Sequence, residues 1–160
     1  MIRLCVSIFS ILIGLTVSSQ SPLSQWNEII QYIDNENFEE SIISINKLLD
    51  SYHNSNLAPD SLYALAIHKK GVANYYLDSE EEAISSWKEA LSLRQTLYSP
   101  NHLDIIKGHR NIATSYLNID QLYLSKQHYQ MSLDLHNSRN EKDDILFSRA
   151  NHSNSSQSSQ

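Results

Sequence analysis

Seven histidines, 18 Asp and Glu and a large number of serines could supply several kinds of chemistry. Their spacing decides which. A metalloprotease-type zinc site needs two histidines one helical turn apart with a glutamate between them. No His-Glu-x-x-His occurs, and the single cysteine, Cys5, cannot complete a metal site alone. A serine nucleophile on a strand-to-helix elbow would need Gly-x-Ser-x-Gly, which is also missing. Gly14, Gly71 and Gly108 are isolated, so no glycine loop can turn several backbone N–H groups towards a phosphate. The carboxylate runs Glu80-Glu81-Glu82 and Asp143-Asp144 stand where helices would begin, solvated and favoured by the helix dipole. His102 falls in a connection and is expected to cap or pack there, while His109, His128 and His136 read as helix-surface residues. The expectation is a protein without enzymatic activity, cofactor or metal.

Composition narrows the class further. The net charge is −6, which argues against nucleic acid or an anionic membrane as partner. Arg3 is followed by an apolar stretch from Leu4 to Val17, and Val17 and Ser19 are small residues suited to a cleavage site before Gln20. Residues 1–19 therefore read as a signal peptide, too short for a comfortable membrane span. The expected location is outside the cytoplasm: periplasmic, cell-surface or secreted, with no membrane insertion once the signal is removed. Cleavage would take Cys5 with it, leaving no thiol or disulfide in the mature chain.

The elements that must position any functional residue recur at a period of 42. Tyr32, Asn74 and Tyr116 share one slot, and Ser41, Ala83 and Ser125 share a second, small one. Ile45, Trp87 and Tyr129 form a bulky slot, followed by Leu48, Ala90 and Ser132 and by the repeated Leu49, Leu91 and Leu133. A repeat of this length marks stacked supersecondary units, none able to bury its apolar face alone. Each unit splits into two helical patterns. Trp26, Ile29, Ile30 and Ile33 recur at steps of three and four; after Asp34-Asn35-Glu36-Asn37 the pattern resumes with Phe38, Ile42, Ile45, Leu48 and Leu49. Pro59 and Pro100 end successive repeats cleanly, with Asp60 or Ser61 capping the next helix. The third repeat is expected to end near His136. A short helix or cap over 139–150, with Asp143 to Phe147 resembling a fourth first-helix, and a disordered tail over 151–160 complete the organisation.

These slots resemble the tetratricopeptide repeat (TPR). Gly71, Ala83, Trp87, Ala90 and Leu91 stand at that family's small, small, aromatic, small and leucine positions, and Ala113, Tyr116, Ser125, Tyr129, Ser132 and Leu133 repeat them. The common TPR period is 34 residues. The longer period here, with Ser99-Pro100-Asn101-His102-Leu103-Asp104, is similar to the kinesin-light-chain-type variant, with Leu103 replacing a usual proline. The resemblance implies an all-α, right-handed superhelical solenoid of antiparallel helix pairs, with about three repeats over 20–138 and a partial C-terminal capping helix.

It also implies a concave groove lined by the first helix of each repeat. The positions carried over are Trp26, Ile30 and Ile33; then His68, Val72, Tyr75 and Tyr76; then Lys107, Arg110, Thr114 and Asn118. An aromatic shelf beside Lys107 and Arg110 suits an extended peptide, Arg110 being fit for a carboxylate. Val72 and Thr114 stand where chaperone-binding repeats carry asparagines, which argues against a chaperone-tail adaptor. The expected function is a protein-interaction scaffold for a protein or peptide ligand. Two alternatives come with the resemblance: the regulatory front of a larger exported protein with a peptidase-like or signalling domain, and a homo-oligomer contacting itself near Tyr129, Met131 and Leu135.

Overall fold

A computed structural model describes the backbone of residues 21–157 and the side chains of residues 21–139; the expected signal peptide lies outside the described residues. Among the described residues, six helices follow one another: α1 (Pro22–Asp34), α2 (Phe38–Asn54), α3 (Ser61–Tyr76), α4 (Glu80–Leu97), α5 (Leu103–Asn118) and α6 (Leu122–Gln157). Each packs mainly on its sequence neighbours, which gives a helical-repeat solenoid of three helix pairs.

The turn inside each pair is built the same way three times. Glu36, Asp78 and Asp120, spaced 42 apart, adopt left-handed backbone with φ of 58°, 56° and 58°. The amide after each turns back to the first helix: Asn37 N–H donates to Tyr32 C=O, Ser79 to Asn74 and Gln121 to Tyr116, at 2.9, 2.9 and 2.8 Å. This six-residue closure satisfies carbonyls that a helix end leaves open and reverses the chain. Between pairs, Asp60 caps α3 by accepting from Tyr63 N–H, and His102 caps α5 by accepting from Asp104 N–H. His102 also stacks on Tyr98 with centroids 4.2 Å apart, so it both caps and packs.

The small slots bring the helices together. Ser41, Ala83 and Ser125 are all buried, and the Ser41 hydroxyl donates to Phe38 C=O. Two core clusters result. Ile29, Ile45, Leu48, Tyr52, Tyr63 and Ile67 join the first two repeats, while Ile84, Trp87, Leu91, Ile105, Ile112 and Tyr116 join the second and third. Gly71 sits directly against the Trp87 ring: a Cβ there would lie 2.5 Å from Cδ1. Only glycine leaves room for the indole.

The C-terminal organisation differs from expectation. α6 is a single helix of 36 residues with no break after His136, no separate short helix at 139–150 and helical backbone through residues 151–157 of the stretch expected as a tail. The cause lies in the connections. Pro59 and Pro100 interrupt the earlier ones, whereas no Pro or Gly occurs after Gly108, so nothing stops the i to i−4 ladder. The bulky slot also changes character here. Ile45 is fully buried and Trp87 is 3% exposed, but Tyr129 is 39% exposed.

Candidate functional site

The first helices α1, α3 and α5 each present one face to a shared trough. The larger of its two adjoining cavities, about 530 Å³, is lined by Ile33, Asp34, Glu36, Phe38, Val72 and Tyr76. A second, about 230 Å³, is lined by Val72, Tyr75, Tyr76, Trp87, Asn111 and Thr114. Val72 and Tyr76 border both, so the two form one depression crossing all three repeats.

Aromatic stacking fixes its centre. Tyr76 lies parallel to Phe38 with centroids 4.8 Å apart and stays 61% exposed; its edge meets Tyr75 at 5.6 Å. Tyr75 leans on Trp87 at 5.8 Å. The adjacent pair thus splits its work, Tyr75 closing the core and Tyr76 offering a ring to the trough. Thr114 Oγ1 and Tyr129 Oη lie 3.0 Å apart, which ties the trough's rim to α6.

His68 is part of the structure beneath. Its carbonyl accepts from Trp87 Nε1 at 3.1 Å, and its Nδ1 accepts from Arg94 Nη1 at 3.2 Å. Burial, followed by the neighbouring cations Arg94 and Lys69, holds its pKa down to about 4, against an ordinary 6.5. The ring is therefore neutral and its Nδ1 lone pair is free to accept. Arg94, itself 3% exposed, also donates to the Asp104 carbonyl, so α3, α4 and α5 are pinned at one guanidinium.

Lys107 and Arg110 are exposed and lie three apart on the stripe that continues to Thr114, but neither borders the two cavities. Asn118 donates to Glu80 Oε1 at 2.6 Å, which ties it to α4. Of the first-helix positions in repeat one, Ile33 lines the trough while Trp26 packs against the first core cluster. Phe38 and Asn111 are lining residues that sequence reasoning missed. By sequence Phe38 falls in the second-helix core pattern; its place two residues after the left-handed turn at Glu36 brings it back towards the first helix.

Two histidines depart from their surface assignment. His109 is buried and His128 half-buried, with their Nδ1 atoms 3.1 Å apart, so that one ring donates and the other accepts. Burial lowers both pKa values, and Lys88 and His109 add to the effect on His128. The expected contact patch also divides. Met131 and Leu135 line a cavity of about 450 Å³ with Ile105, His109 and Asp134, whereas Tyr129 points to Thr114 on the other flank of α6. Among the described residues, no helix is long and apolar enough to cross a membrane, and no three His, Cys, Asp or Glu side chains gather as metal ligands.

No family model matches the sequence, and no curated protein does. Solved structures do match. The crystal structure of BtubC (BKLC) from P. vanneervenii superposes with a TM-score of 0.67 over 77% of this chain and 49% of its own, at 16% identity. The fold is TPR-like. A MamA RS-1 double mutant gives 0.59 over 74% of this chain and 58% of its own, at 13% identity. The nearly identical TPR-like repeats of a Podosopora anserina kinesin light chain give 0.59 over 71% and 54%, at 12% identity. This TPR-like chain spans about half the length of the structures it matches.

Proposed function

We propose that this TPR-like chain is a noncatalytic scaffold that holds an extended peptide, or an extended segment of a partner, in the trough centred on Tyr76. The observation that carries this reading is a large aromatic ring left 61% exposed in a depression walled by Ile33, Phe38, Val72 and Tyr75. An exposed aromatic held in one orientation by stacking loses little freedom on binding, and one apolar ligand side chain fits beside it. Lys107 and Arg110, further along α5, supply a carboxylate-binding end and set the ligand's direction. His68 supports the trough from below. The apolar run before Gln20 supports an exported setting, so the partner is sought outside the cytoplasm.

The test is a pull-down from an extracellular or periplasmic fraction, with Tyr75→Ala/Tyr76→Ala/Arg110→Ala as control. The control must keep wild-type helicity, since Tyr75 touches Trp87. Loss of one partner with the triple variant supports the trough; binding that survives the three changes places the partner elsewhere and ends this reading. A second reading, the regulatory front of a larger protein, draws on the chain's half-length coverage of its structural neighbours.

A further inference from the structure

The flank of α6 that carries Tyr129 and Leu133 repeats a face that the molecule covers twice elsewhere. Leu133 stands 42 residues after Leu91, and Tyr129 stands 42 after Trp87. Leu91 is buried against Gly108 of α5, and Leu91 and Trp87 share a core cluster with Ile105 and Ile112 of that helix, whereas Leu133 is 51% and Tyr129 39% exposed. The covering element missing from α6 is the next first-type helix.

The sequence contains it. Phe147 and Ala150 stand 42 residues after Ile105 and Gly108, and 84 after Tyr63 and Ala66. The large-then-small pair is therefore kept a third time. Asn154 stands in register with Ile112, so this part of the face becomes more polar, as does the slot where Tyr129 replaces Trp87. In the structure this segment is the continuation of α6. The connection in register with Tyr98–His102 runs from Asn140 to Asp144, and Lys142 takes the place of Pro100. A straight helix cannot fold over its own flank, and at 1.5 Å per residue Ile145 lies about 18 Å along the axis from Leu133.

We propose that the face is covered by a second copy of the chain. Each α6 lays its 145–157 segment across Tyr129 and Leu133 of the other, so that two fused helices exchange the fourth first-helix reciprocally. This is domain exchange through a connection that has lost its proline. Stacking of the other end of a second copy fits poorly. The register positions of Tyr63, Ala66 and Ile67 at the start of the first repeat are Ser21, which caps α1, and Ser24 and Gln25 within it, a polar face.

The repeated packing also supplies the test. A Cβ added at Gly108 lies 3.8 Å from Leu91 Cβ, within the separation a disulfide requires. The equivalent pair is Leu133 and Ala150. In the full chain with Cys5→Ser, the double variant Leu133→Cys/Ala150→Cys is expected to oxidise to a covalent dimer of twice 18.3 kDa. This readout is site-specific, so association through residues 4–17 does not mimic it. A disulfide formed within one chain, or none, overturns the exchange. Adding Lys142→Pro is expected to restore the hinge and move the disulfide inside a single chain; a link that remains between chains also overturns it. Sedimentation of the unsubstituted chain is expected to give a dimer, and a monomer at every dilution overturns the proposal without any variant.

Discussion

At the scale of single residues, the most consequential group is one that sequence reasoning assigned to ligand binding. His68 accepts from a guanidinium that is almost fully buried, and its pKa of about 4 records how strongly the folded state resists a second cation there. His109 and His128 are shifted in the same direction. The unfolded chain takes up protons near pH 6.5 while the folded chain does not. Stability is therefore complete above that pH and declines as pH falls towards 4. Denaturant midpoints measured at pH 7 and at pH 4.5 are expected to differ clearly. His68→Gln, which keeps an acceptor and removes the titration, is expected to narrow the gap. Equal midpoints for the unsubstituted chain would show that these rings titrate freely. None of this was legible from spacing, because a histidine on a helix face looks the same whether the next repeat covers it or not.

Among the elements, the turn is the most faithful copy. Glu36, Asp78 and Asp120 all hold left-handed backbone, a conformation that crowds Cβ against the following carbonyl. Aspartate tolerates it better than glutamate, which makes Glu36 the most strained of the three. Glu36→Gly is expected to raise stability by about 0.5–1 kcal/mol, the strain relief exceeding glycine's added freedom in the unfolded chain. Thermal melts of the two proteins check this, and an unchanged or lower midpoint counts against strain at that turn. The sequence marked the turns through their polar breaks, and it marked the repeat boundaries through Pro59 and Pro100. It did not reveal that the third boundary had vanished. A proline that is absent leaves no mark in a helix pattern, and the Asp143 to Phe147 stretch reads equally well as a new helix or as the continuation of an old one.

For the whole molecule, stability is a chain of interfaces between neighbouring repeats, and Trp87 sits where two of them meet. It fills the space that Gly71 leaves open and belongs to the cluster with Ile105 and Ile112. Trp87→Ala is expected to cost about 3–5 kcal/mol, from lost transfer free energy and the cavity left behind. That is a large part of the ~5–15 kcal/mol typical of a domain. A fall in the melting midpoint of the full chain measures it, and a wild-type melt would contradict the packing described. The 42-residue register alone determined the helices, their pairing and the small slots where they touch, because one-dimensional stacking makes each contact local and lets it recur. Tertiary structure decided which neighbours each recurring side chain meets. It turned Tyr76 towards the trough and Tyr75 towards the core, joined His109 to His128 and left Tyr129 and Leu133 uncovered. Those outcomes depend on which helix lies alongside, and no repeat carries that information within its own 42 residues.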